Sequence, residues 1–282
     1  MEQSSETPVF SKFRQFVNND LTILWAIVFI AWVLTILAAA TGQEHWLHQS
    51  ALIKLDSEAL LPSADRIPLL LKLLLFLGAW QVMTAAMMLP SSLPMLRLFV
   101  KVSRQQTKPQ LALLAFLGAY AAVWTGFAII ALLFDIGLHW LVQHWHWLHH
   151  RPWIIAGSTL VLAGGFQFSS LKEQCLNSCR HPLSFLTHHY QRGLKAAWNL
   201  GVRHGLYCLG CCWALMFVML AVGVGHFTWM IVLTVVMTLE RTWKQGRKIV
   251  PIVGITFLVW GGLVLFNPGW LPDLLGGYGG HT

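Results

Sequence analysis

An imidazole, three thiols and two thioethers recur at intervals of one to four residues in a single stretch of this chain: His204, Cys208, Cys211, Cys212, Met216 and Met219. On a helix such spacing puts all six on one face. These are transition-metal ligands, and the excess of sulfur favours Cu(I), with zinc the lesser alternative. A second pair, Cys175 and Cys179, lies upstream one helical turn apart, and Met83, Met87 and Met88 sit earlier still in an apolar run. Thioethers bind Cu(I) without losing a proton, so they suit apolar surroundings in which a charged ligand is expensive. Each residue type also has an ordinary use, since cysteine and methionine fill membrane cores as small or adaptable apolar groups. Clustering tips the balance towards ligation, with three cysteines falling within five residues.

A further group, His139, His144, His146, His149 and His150, is interleaved with tryptophans between Asp135 and Arg151. If that segment is one helix, His139, His146 and His150 form a stripe able to collect copper or zinc. The same residues equally suit an amphipathic segment in the headgroup layer. His226 carries a similar ambiguity. The sequence contains no nucleotide-binding glycine loop, no Ser/His/Asp order and no His-Glu-x-x-His helix.

The elements that position these ligands follow from composition. The 282 residues are 56% hydrophobic and only 11% charged, with mean hydropathy +0.60, against the roughly 25% charge of a soluble domain. Apolar runs at about 21–41, 68–89, 111–134, 152–169, 205–222, 226–239 and 250–266 compare with the ~20 residues that cross hydrocarbon. They lack the two-residue alternation of barrel strands. The expectation is an all-α, polytopic transmembrane bundle of about seven helices, with a polar arm at 1–20, one membrane domain at 21–267 and a loose external tail at 268–282. The first run is too long for a signal peptide and follows an arm carrying Glu2, Glu6 and Asp20, so it is expected to be retained.

Of the 19 Lys and Arg, only Lys54, Arg66, Lys72 and Arg151 fall on or near one side. The others lie in the N-terminal arm, at 97–108, at 172–203 and at 241–248. The positive-inside rule then puts the N-terminus in the cytosol and, with seven spans, the C-terminus outside. The net charge of +8 reports topology and attraction to anionic lipid, and no basic folded domain for nucleic acid is present. Trp140, Trp145, Trp147 and Trp153 at one boundary, and Trp198 and Trp243 at the other, read as aromatic belts. Asp135, Glu240 and Lys72 are expected to be boundary residues that snorkel. All five cysteines fall on the reducing side, which disfavours structural disulfides. Cys208 is expected near the N-terminus of its helix, beside Arg203 and His204, where the helix dipole favours thiolate.

Three motifs occur in order. The first is Ala86-Met87-Met88-x-Pro90-Ser91-x-x-Pro94, and the second is Phe166-Gln167-Phe168-Ser169-x-Leu171-Lys172-x-x-Cys175-Leu176-x-x-Cys179-Arg180-x-Pro182. The third is His204-Gly205-x-x-Cys208-x-Gly210-Cys211-Cys212-Trp213-x-Leu215-Met216. Over about residues 20–267 the chain resembles the bacterial family of predicted metal-binding integral membrane proteins, a former domain of unknown function that includes a tyrosinase-associated copper-delivery protein. The resemblance implies ligands among Met83, Met87, Met88, Cys175, Cys179, His204, Cys208, Cys211, Cys212 and Met216, with Glu240 as a framework position. It also implies an inner-membrane protein that handles Cu(I) and passes it to a copper-dependent oxidase or tyrosinase, or across the membrane. The alternative is a membrane thiol-disulfide oxidoreductase using the same cysteines. Haem ligation is disfavoured because His204 and His226 are expected near opposite faces.

Overall fold

Where lipid excludes water, a backbone must satisfy its own N–H and C=O groups, and helices do so within one segment. A computed structural model describes residues 8–40, 69–149, 151–222 and 227–267, and no strand occurs among the described residues. In chain order the helices are α1 (Pro8–Ala40), α2 (Leu69–Ser103), α3 (Pro109–His144), α4 (His146–His149), α5 (Pro152–Phe166), α6 (Ser170–Arg180), α7 (Pro182–His189), α8 (Leu194–Val222), α9 (Phe227–Thr242) and α10 (Gly246–Phe266). The all-α bundle read from sequence is the architecture found.

All seven apolar runs fall in helices, but their capacities to span differ. Leu73–Ser103, Pro109–His144, Leu194–Met219 and Gly246–Phe266 are long and apolar enough to cross a membrane. Trp153–Phe166 and Ser170–Arg180 qualify only as a pair, bent by 62°. The 16 residues of α9 reach about 24 Å at the usual helical rise, short of a ~30 Å hydrocarbon core. Among the described residues four helices therefore meet the requirement, or five with the bent pair, where seven spans were expected. An apolar run signals burial, and burial against other helices accounts for one as well as lipid does. The outer surface carries the exposed apolar side chains a membrane would cover, among them Phe29, Leu114, Ile130, Leu162 and Ile252.

Two helices outrun their apolar cores in ways that matter for the site. α2 continues through Pro90 and Pro94, each of which removes a backbone donor, while the Ser91 hydroxyl donates to the Met88 carbonyl at 2.9 Å. α8 starts at Leu194, so Cys208 lies almost four turns inside it. The helix-dipole argument for a thiolate at Cys208 therefore fails, because the dipole acts within the first turn.

Small residues set the closest helix contacts. A Cβ on Gly164 of α5 would stand 2.8 Å from the Gly254 carbonyl and Leu258 nitrogen of α10, and one on Gly261 would stand 2.9 Å from the Gly157 carbonyl. The paired glycines let two backbones approach as small residues do in membrane helix pairs. Gly201 of α8 likewise lies against the Phe116 carbonyl of α3.

The polar connections gather at one end of the bundle. Gln106 Nε2 donates to the Tyr190 hydroxyl at 3.0 Å, and its Oε1 accepts from the Gly193 nitrogen at 3.2 Å. Arg180 Nη2 donates to the Trp243 and Lys244 carbonyls at 2.7 and 3.2 Å. Three of the basic segments assigned to one side by charge, 97–108, 172–203 and 241–248, are thus neighbours. At the other end the helix breaks at Trp145, so His139 and His146 stand on separate helices rather than on one. His144 hydrogen-bonds its own Trp140 carbonyl at 2.8 Å. His150, His226, the loop at 42–66 and the tail from 268 lie outside the described residues.

Gly164→Val should destabilise the bundle by about 2 kcal/mol, because its Cβ meets backbone that cannot move aside. Gly165→Val is the control, since nothing lies within 4 Å of a Cβ there. Thermal unfolding in detergent followed by circular dichroism compares the two, and equal losses would refute the close contact.

Candidate metal centre

The sulfur cluster is built on one turn of α8. The Cys208 carbonyl accepts from the Cys211 thiol at 3.1 Å and the Cys212 thiol at 2.9 Å. Cys212 Sγ lies 3.8 Å from the Met88 thioether on α2. Cys208 Sγ shares a 3.0 Å hydrogen bond with the Tyr120 hydroxyl of α3. From the other side α6 brings Cys179 alongside Cys211. Cys175 Sγ sits 2.6 Å from where a Cβ on Gly210 would stand. Glycine at 210 is what admits α6 so closely, and it joins the two cysteine groups into one cluster. All five cysteines are free thiols, and four of them are buried.

At the cluster lies a charge that sequence reading counted only towards topology. Arg241 of α9 is buried and donates to the Ser91 hydroxyl at 2.7 Å, the Cys208 carbonyl at 2.9 Å and Cys211 Sγ at 2.9 Å. One guanidinium thereby ties α9 to α2 and α8, using the several donors that lysine would lack. The salt bridges found among the described residues are Lys172–Glu240 and Glu173–Arg247, so this buried cation faces sulfur and backbone rather than carboxylate.

Glu240 corrects a second expectation. It does not snorkel: it is 2% exposed and accepts from Lys172 Nζ, itself 1% exposed, at 2.7 Å. The pair anchors α6 to α9 beneath the thiols. At the surface Arg247 and Glu173 form a further ion pair between α10 and α6, and the Ser169 hydroxyl caps α6 by accepting from the Lys172 nitrogen at 3.1 Å.

His204 lies one turn before Cys208, as its spacing predicts, yet its ring is enclosed by aromatics. Tyr120 stacks on it at 5.8 Å, with Phe116 at 5.8 Å and Phe185 at 6.0 Å. Its Nε2 is buried without a hydrogen-bond partner. Tyr120 therefore connects imidazole and thiol, with its ring on one and its hydroxyl on the other. Met83, Met87 and Met216 are buried in the same core as the cysteines, and of the methionines named from sequence it is Met88 that makes the sulfur contact. Among the described residues no three His, Cys, Asp or Glu side chains already surround a point that could hold an ion. The thiols instead turn to a carbonyl, a hydroxyl, a guanidinium and one another.

Arg241 and Tyr120 lie outside the motifs and ligand set read from sequence, while Ser91 and Lys172 enter there only as motif positions and Glu240 only as a framework position. A signal for α9 was present, since Met230, Leu233, Thr234, Met237, Glu240 and Arg241 are its buried residues and recur at helical spacing. The stripe runs straight from apolar residues into both charges.

Residues 77–264 match the model of the PpoB2 family, described as a copper chaperone. No curated protein and no solved structure matches the chain.

Lys172→Met should cost about 3–5 kcal/mol by leaving Glu240 buried without its partner, and Lys172→Met with Glu240→Leu should recover most of that loss. Thermal unfolding of the two variants decides. A double variant no more stable than the single would remove the pair as the cause.

Proposed function

The chain belongs to the PpoB2 copper chaperone family, and from that premise we propose that it carries Cu(I) on the sulfur cluster between α8, α6 and α2. The observation that carries this reading is the convergence of Cys175 and Cys179 with Cys208, Cys211, Cys212 and Met88. Soft thiolate and thioether donors select Cu(I) over harder cations. Two thiolates on one Cu(I) leave a net charge of −1, and the Arg241 guanidinium is placed to neutralise it. That matters in a medium where an unpaired charge is costly. Thiolates supply retention, while the neutral Met88 thioether offers a weaker ligand suited to release.

In this reading the protein is a carrier and no enzyme, and it sits in the bacterial inner membrane with its basic end towards the cytosol. Its recipient is a copper-dependent oxidase or tyrosinase, or the ion crosses the membrane. The Cys179–Cys211 contact also suits a dithiol switch, which supports thiol-disulfide exchange as the second reading. A trapped mixed disulfide with a partner protein would favour that reading.

Replacing Cys208 and Cys212 together with Ser should remove most bound copper while preserving the helical signal. Elemental analysis of the reduced, anaerobically purified protein measures it, and unchanged copper would refute the site. Arg241→Met should weaken Cu(I) binding about tenfold, equivalent to ~1.4 kcal/mol. Competition with a chromophoric Cu(I) chelator reads that affinity, and equal binding would show that the guanidinium is not the countercharge.

A further inference from the structure

The thiol cluster is buried, so an ion must reach it through the protein. A cavity of about 790 Å3 opens where α6 turns into α7, and His181, His188, His189 and Phe185 are in its wall. None of these histidines belongs to the ligand set read from sequence. His188 Nδ1 lies 2.7 Å from the Ser184 carbonyl and His189 Nδ1 lies 2.9 Å from the Phe185 carbonyl. With the proton on Nδ1, each Nε2 is left as a free donor to metal, the arrangement that outer hydrogen bonds impose on metal-binding imidazoles. Arg180, the cation of the same wall, points its Nη2 at the carbonyls of Trp243 and Lys244.

Phe185 stands between this cavity and the interior. Its ring lies 4.9 Å from that of His189, in the cavity wall, and 6.0 Å from that of the buried His204. Beyond it the His204 Nε2 is buried and unpartnered, and Tyr120 leads from His204 to Cys208. A buried imidazole nitrogen with nothing to bind is an unusual cost, and a transient ligand role for passing metal accounts for it.

We propose that the α6–α7 cavity is the loading mouth of the copper site: His181, His188 and His189 capture Cu(I), and the ion passes Phe185 to His204 and then to the thiols. The inference rests on the thiol cluster being the copper store. Each step exchanges one neutral nitrogen ligand for another and finally for thiolate, so the ion moves towards its preferred soft donors with no redox change. Among the described residues no three His, Cys, Asp or Glu side chains converge on a point that could hold an ion, so the histidines act singly or in pairs, which suits a station that must release its ion.

The test is the rate at which detergent-solubilised, reduced full-length protein takes Cu(I) from its coloured bathocuproine disulfonate complex, followed by stopped-flow absorbance. The combined variant His181→Ala, His188→Ala, His189→Ala should load about tenfold more slowly, with final copper content still set by the thiols. His188→Ala alone, at an exposed position, gives a smaller slowing and guards against misfolding of the triple variant. Phe185→Ala should speed loading. A triple variant that loads at the wild-type rate would overturn the mouth. In the same assay the Cys208→Ser, Cys212→Ser protein tests the store separately. If its final copper content equals wild type, the thiol reading fails, while the rates of the histidine variants still judge the mouth.

Discussion

A permanent positive charge buried among thiols is the constraint from which the site is built. Arginine stays protonated in proteins, so Arg241 must have its donors satisfied wherever the fold puts it. The fold does this with a serine hydroxyl from α2, a backbone carbonyl from α8 and the sulfur of Cys211. Those three contacts fix how α9 meets the other two helices. In the proposed reading they also supply a counter-cation that does not itself compete as a ligand for Cu(I).

The second requirement is access by α6. This helix is polar, short and bent by 62° from α5, and its own sequence gives it little reason to lie against a membrane core. It is held there electrostatically. Lys172 reaches Glu240 in the interior, Arg180 binds the Trp243 and Lys244 carbonyls just after α9, and Glu173 pairs with Arg247 outside. With the helix pinned at these points, Cys175 settles against Gly210 and Cys179 against Cys211. A buried ion pair is weak support for stability in general. Here its consequence is positional: it sets the register of two cysteines relative to three others.

Copper carriage calls for binding that is firm and reversible at once. The described arrangement separates these demands spatially, with thiols in the interior, a thioether at their edge, and an imidazole one helical turn away in an aromatic enclosure. The thiols are engaged with other groups, so in the proposed reading ligation exchanges hydrogen bonds for metal bonds. Helices joined by close glycine contacts, as α5 and α10 are, provide a rigid frame around side chains that have to rotate.

Much of this protein was legible in its residues alone. Composition and apolar runs pointed to an all-helical membrane bundle, because lipid leaves the backbone only helices or closed barrels and these runs lack the alternation of barrel strands. The four-residue spacing of His204, Cys208, Cys212 and Met216 determined a shared face, because helical geometry is local. Length was less secure, since the run at 226–239 reads the same whether lipid or protein covers it. What only the tertiary structure decided was every pairing across distance. Lys172 with Glu240, Arg241 with Cys211, Tyr120 with Cys208 and Cys179 with Cys211 join residues far apart in the chain. A charge beside an apolar run looks identical in sequence whether it faces water or a buried partner. The difference is made by which helices pack together, and that packing is a property of the whole chain.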